Sequence, residues 1–226
     1  MKFVVIEGID GSGKSTQIAR LQDYLKQNSV PYKYVHFPRT DSPVFGDLIA
    51  RFLRGEFGPN EQVNPYLVAL IYAGDRKDAA DLIQQWREKN LVIVDRYVLS
   101  NIAYQCAKLS DEKEKDILKN WILNFEYNYN KIPRPDLNIF LDVPFQFTIE
   151  RLTKERNGND REYLKGVSDI HEENIDFQKK VRDMYLYLAK TEKSLKMINC
   201  SVENEMLKPE KIFELLLACL QENSIL

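Results

Sequence analysis

The chain has 226 residues, 44% of them apolar, enough to fill one large domain or two small ones. Its 32 Lys plus Arg stand against 34 Asp plus Glu, a formal net charge of −2 that lacks the basic surplus of a dedicated nucleic-acid binder. No stretch approaches the ~18–20 apolar residues of a membrane span, and the apolar run after Lys2 is too short for a signal peptide, so the expectation is a soluble, cytoplasmic protein.

In chain order, Phe3-Val4-Val5-Ile6 is short and rich in β-branched residues. It reads as a strand feeding a Gly-rich turn and a helical pattern over Lys14–Gln27. Tyr32–Phe37 reads as the second strand, followed by helical patterns over Val44–Leu53 and Pro65–Lys89. Leu91–Val94 is a continuous apolar run, as in a strand covered on both faces. Helices are expected near Asn101–Ala107 and over Asp111–Tyr129. A fourth strand, Leu137–Leu141, is bounded by Pro135 and Pro144, and a helix over Phe145–Glu155 follows. The polar stretch Arg156–Ser168 precedes a long helix over Asp169–Lys190, where Asp169 and Glu172 have the spacing of a capping box. A fifth strand, Leu195–Asn199, and a helix over Pro209–Gln221 complete the pattern. Strands separated by helices imply a parallel sheet with helices on both faces. With no internal repeat and no Gly/Ser linker, residues 1–226 read as one α/β domain. Cys106, Cys200 and Cys219 are widely spaced and in no ligand-like pattern, which argues against a disulfide framework or a zinc site.

Gly8-Ile9-Asp10-Gly11-Ser12-Gly13-Lys14-Ser15 matches the phosphate-loop pattern G-x-x-x-x-G-K-[ST], between a strand and a helix. The glycines let the backbone bend so that successive N–H groups face phosphate oxygens. The following helix adds the positive end of its dipole. Lys14 can reach the β- and γ-phosphates, and the Ser15 hydroxyl can ligate Mg²⁺. A nucleoside triphosphate site is predicted. Asn130-Lys131-Ile132-Pro133 lacks the carboxylate of a guanine-reading motif, and a single phosphate loop in a short chain leaves little room for a motor. Arg39 and Arg96 each follow a strand directly, where open α/β sheets bind ligands. Arg76 lies four residues after Tyr72, which puts a guanidinium and an aromatic ring on one helical face. Such a set suits a second anionic ligand that carries a base.

The runs Gly8–Thr16, Phe37-Pro38-Arg39, Tyr72–Arg76, Asp95-Arg96-Tyr97 followed by Ser100-Asn101, and Pro135-Asp136-Leu137 resemble the thymidylate kinase family, in order and over almost the whole chain. The resemblance implies a three-layer α/β/α phosphate-loop fold, a five-stranded parallel sheet in the order 2-3-1-4-5, and a mobile lid at about residues 151–168. It implies transfer of the γ-phosphoryl of ATP to dTMP with Mg²⁺, in a homodimer built from helix faces. ATP would be bound by Gly8, Ile9, Asp10, Gly11, Ser12, Gly13, Lys14, Ser15 and Thr16, with Arg151 near the adenine. Asp10 would lie near the acceptor sugar and the transferring phosphate, while Arg39 and Arg96 would grip the acceptor phosphate. Tyr72 would stack on thymine, Arg76 would meet the base edge, Asn101 beside Ser100 would contact the pyrimidine, and Tyr104 would disfavour a ribose 2′-hydroxyl. Asp95 would hold Mg²⁺ through water together with Ser15, and Glu172 is a further acceptor-side candidate.

Some members of the family carry a catalytic Arg inside the phosphate loop, and this chain has none there. Arg151, Lys154, Arg156 and Arg161 resemble instead a lid that delivers the cation, with Arg156 the first candidate for the transfer step beside Lys14, Arg96 and Asp10. A cation supplied in this way is worth ~10³–10⁵ in rate. A deoxynucleoside kinase, another monophosphate kinase and a non-enzymatic nucleotide-binding module are the alternatives at this stage.

Overall fold

A computed structural model describes residues 1–153, 159–167, 169–172 and 174–226, and of 159–161 the backbone alone. Strands β1 (Phe3–Glu7), β2 (Tyr32–His36), β3 (Leu91–Asp95), β4 (Leu137–Asp142) and β5 (Leu195–Asn199) form one parallel sheet in the order β2-β3-β1-β4-β5. Among the described residues, eight α-helices connect or follow these strands: α1 (Lys14–Gln27), α2 (Phe45–Leu53), α3 (Pro65–Arg87), α4 (Val98–Cys106), α5 (Glu112–Asn124), α6 (Phe145–Leu152), α7 (Ile175–Thr191) and α8 (Pro209–Glu222). The expected three-layer fold and strand order are both present.

The central strand shows why the layers form. Alternate side chains of a strand face opposite ways, so Phe3 and Val5 pack among α3, α4 and α7, while Val4 and Ile6 pack against α1 and α8. Both faces are sealed, and each such side chain contributes ~1.5–3 kcal/mol of burial. The register sets Ile6 beside Asp95 and Asp95 beside His36, so the carboxyl ends of β1, β3 and β2 lie level. This edge carries the site.

Four local features depart from the sequence expectation. Helix α4 starts at Val98, earlier than the pattern suggested, because the Tyr97 amide just before it is taken by Glu7 Oε1 at 3.1 Å. Helix α7 starts at Ile175, not at Asp169. Asn174 caps it, accepting from the Phe177 amide at 2.9 Å, whereas the Asp169 carboxylate is spent on a local turn, accepting from the His171 amide at 2.8 Å. The helix begun at Glu112 widens into a π-helical turn over Phe125–Tyr129, which turns Glu126 fully inward while Trp121, Phe125 and Tyr129 stack outside it. Finally, β6 (Ser201–Val202) and β7 (Glu205–Met206) form an unforeseen hairpin, with Glu203 and Asn204 at φ 50° and 67° supplying the left-handed pair that a two-residue turn requires. Among the described residues, no helix is long and apolar enough to cross a membrane.

Candidate active site

The chain leaves β1 at Glu7 and bends through Gly8–Gly13, with Gly11 and Gly13 at φ 74° and 81°. Gly13 is the N-cap of α1 and no side chain caps the helix, which leaves its first amides directed at the loop. A Cβ at Gly8 would stand 2.7 Å from Ser12 Oγ and 3.2 Å from the Lys14 stem, so only glycine fits there. Lys14 is buried and donates to the Ile9 carbonyl at 3.3 Å. Burial, with Arg96 nearby, pushes its ammonium down to about 8.

Beside this loop lies a cleft of about 730 Å³. Its half away from the loop is built from ion pairs. Arg96 follows β3 at φ 65°, a left-handed backbone that non-glycine residues adopt at a cost of ~1–3 kcal/mol. The turn aims its guanidinium over the Tyr104 ring, 4.9 Å from the centroid, with Nη2 donating to Asp10 Oδ1 at 2.6 Å. Asp10 Oδ2 accepts from the Tyr104 hydroxyl and from Gln178 Nε2, each at 2.8 Å. Burial alone would raise the Asp10 carboxyl, but Arg96 and Lys14 hold it far below the usual range, so it is an anion at any ordinary pH.

Arg76 is buried in a bidentate pair with Glu126, Nε and Nη2 each donating at 2.6 Å. Asn101 joins the pair, its Nδ2 donating to Glu126 Oε1 at 3.0 Å, and its Oδ1 is buried with no protein partner. Arg39 is held by Asp75, with Nε donating to Oδ1 and Nη2 to the Asp75 carbonyl, both at 2.8 Å. Below these pairs, Glu7 is fully buried and accepts from Ser100 Oγ at 2.6 Å and from the Tyr185 hydroxyl at 2.9 Å. Burial raises the Glu7 carboxyl above its ordinary value despite those donors.

Asp95 ends β3 with Oδ2 3.2 Å from His36 Nδ1, while its Oδ1 is buried without a partner. Burial pushes this carboxyl up, but Lys14 and His36 bring it below the usual range. This orphaned carboxylate oxygen and Ser15 both line the cleft, a sparse oxygen set that fits a magnesium ion keeping most of its waters and phosphate ligands. Among the described residues, no cluster of His, Cys, Asp and Glu could cage a metal alone.

The cleft thus gathers Asp10, Gly11, Ser12, Gly13, Lys14, Ser15, Thr16, Tyr72, Arg76, Asp95, Arg96, Ser100, Asn101, Tyr104, Arg151 and Glu172 from the sequence-predicted set. Gly8, Ile9 and Arg39 do not line it: Gly8 and Ile9 shape the loop from behind, and Arg39 is drawn onto Asp75. Arg151 reaches the cleft with its guanidinium 5.2 Å from the Phe147 ring. Lys154 and Arg156 lie outside the described residues, as does the side chain of Arg161.

A family model described as thymidylate kinase matches residues 6–210. The chain belongs to the thymidylate kinase family. A probable thymidylate kinase of Methanosphaera stadtmanae is 32% identical over 211 residues, 92% of this chain and 94% of the relative. The thymidylate kinase of Kosmotoga olearia is 30% identical over 223 residues, 97% of either chain. The solved structure of Candida albicans thymidylate kinase shares the fold, with a TM-score of 0.70 at 24% identity, over 99% of this chain and 92% of that one. Membership in the thymidylate kinase family brings kinase chemistry with ATP.

Residues that the sequence motifs did not mark also build the site. Glu7, Asp75, Glu126, Gln178 and Tyr185 are the partners that fix the expected residues, and of these only Asp75 falls within one of the motif runs. Asp169, read from its spacing as part of a helix start, and His171, which no motif marked, both line the cleft. His171 is ringed by Phe52, Tyr104 and Phe177 with centroids 5.0–5.4 Å away, and burial pushes its imidazole down to about 3.

Proposed function

We propose that the protein transfers the γ-phosphoryl group of ATP to dTMP, giving dTDP and ADP. The observation that carries this reading is the meeting, in one cleft, of a main-chain anion cradle with Arg96, Arg76 and the ring of Tyr72. The loop amides and Lys14 suit the donor phosphates, and Arg96 suits the acceptor phosphate. Tyr72 offers a stacking face, while Arg76 and the open Oδ1 of Asn101 offer a donor and an acceptor to a pyrimidine edge. Asp10, an anion, is placed to orient the sugar and the transferring group rather than to act as a strong base, since positioning and electrostatics carry most of this reaction.

Magnesium would be held by Ser15 and, through water, by Asp95, and would supply neutralisation of the charge on the donor phosphates. Arg156, from a lid at about residues 151–168 that closes over ATP, is the proposed source of transition-state charge, with Arg151 toward the adenine. We place the enzyme in the cytoplasm, as one domain paired in a homodimer. Leu67 and Leu82, exposed on α3 at 58% and 42%, support a helix-face contact that sedimentation would test.

A coupled assay offering dTMP, dUMP, CMP, AMP and thymidine with ATP is expected to give the highest kcat/KM with dTMP. Turnover of thymidine without turnover of dTMP would overturn the reading in favour of a nucleoside kinase.

A further inference from the structure

One face of α7 addresses the carboxyl edge of the sheet three times. Gln178, Arg182 and Tyr185 recur at the i, i+4, i+7 spacing of a single helical face. Gln178 meets Asp10 in the phosphate loop, Arg182 pairs with Asp142 at the end of β4 at 2.7 and 3.0 Å, and Tyr185 donates to Glu7 at the end of β1. The first contact reaches a loop residue that lines the cleft directly, whereas the Tyr185 hydroxyl reaches the cleft through Ser100 at 2.6 Å.

The Gln178 amide is fully buried and fully used. Its Nε2 donates to Asp10 Oδ2 at 2.8 Å and to the His171 carbonyl at 3.0 Å, while its Oε1 accepts from the Asp10 amide at 3.4 Å. The side chain therefore grips Asp10 at both backbone and carboxylate, and the same nitrogen grips the 169–172 turn that precedes α7. Arg96 and Tyr104 fix Asp10 from α4 and the end of β3, so without Gln178 the carboxylate keeps its charge partners but loses its third point of support.

We propose that Gln178 is a positioning residue for phosphoryl transfer: it holds the Asp10 carboxylate in register with the turn before α7, so that the phosphate loop and this turn are set as one unit. The inference rests on the transfer reading given above. Gln178 touches no substrate in this account and acts only through Asp10. Its loss should therefore appear in the chemical step and not in acceptor affinity.

The test uses the full-length enzyme with ATP and dTMP. Gln178→Met keeps the length of the side chain and removes the amide. It is expected to lower kcat ~10–100-fold, leave the KM for dTMP within about threefold, and leave Tm near that of the unaltered enzyme. In an Asp10→Asn background, followed in single turnover, the same change should cost no more than about twofold, because the partner it acts through is already altered. Equal losses in both backgrounds, or a loss confined to KM, overturn the proposal. Should Gln178→Met fail to fold, Gln178→Glu serves as the second variant: its carboxylate repels Asp10, and the rate it loses should shrink at least ~10-fold in the Asp10→Asn background. Undiminished loss there overturns the proposal equally. Turnover of dTMP by the unaltered enzyme judges the transfer reading, whereas the ratio of variant to unaltered rate judges Gln178 with whichever monophosphate is turned over.

Discussion

The two halves of the cleft are built on different principles. The phosphate-loop half is contiguous: Gly8–Ser15 bends on its own glycines, and its main working groups are backbone amides and the ammonium of Lys14. The half around Arg76 and Arg96 is a mosaic in which each cation is fixed by a carboxylate from elsewhere, Arg76 by Glu126 and Arg96 by Asp10. Contiguous cradles are robust to neighbours and sensitive to one essential cation. Mosaics spread their vulnerability over those partners.

Lys14→Ala is the sharpest way to break the first half. It is expected to lower kcat by ~10³–10⁵, the range for removing one essential cation from phosphoryl transfer, with the fold intact by circular dichroism. Retained turnover in purified material would show that the loop is not the donor site. In the mosaic half, Glu126→Ala strands a buried guanidinium and should destabilise the protein by ~3–5 kcal/mol in urea unfolding. The double change Arg76→Met with Glu126→Leu should restore most of that stability without restoring dTMP turnover, which separates the structural from the recognising role of the pair. A double variant as unstable as Glu126→Ala would mean that the local π-helical geometry, not the charge, sets the cost.

The smallest expected effect is a slope. His171, pushed from an ordinary 6.5 to about 3 by burial and by Lys108, takes up a proton on unfolding between those values, so it weakens the fold as pH falls. Asp169, raised from 3.8 to about 7 by burial and by Asp10, releases a proton on unfolding, so it weakens the fold as pH rises. Between about pH 4 and 6.5 the two oppose each other. Asp169→Asn should uncover a stability that climbs with pH by up to about 1.4 kcal/mol per unit. His171→Phe should uncover the reverse trend, and parallel pH profiles for both variants would contradict these assignments.

The same contrast governs what the amino-acid sequence reveals. A loop whose function is its own backbone is written in consecutive letters, and alternating strands and helices announce the sheet and its layers. Pairing is not written that way. Glu126 sits in a π-helical turn that apolar periodicity cannot distinguish from ordinary helix, and Asp75 precedes the motif arginine without marking itself as the clamp of Arg39. The Asp169–Glu172 spacing has the form of a helix start, yet local contacts take the Asp169 carboxylate, to the Tyr163 hydroxyl and the His171 amide, and Asn174 takes the cap. Gln178 meets Asp10 across 168 positions, a relation that local reading has no means to see.

Arg76 and Arg96 arrive in the cleft already matched by Glu126 and Asp10, and Arg39, outside its lining, is matched by Asp75. Before any ligand is present, this wall therefore projects little net positive potential into solvent, and long-range steering of a phosphomonoester is correspondingly weak. Capture there depends on short-range fit, which leaves it less dependent on ionic strength than an unbalanced cluster of guanidiniums would be.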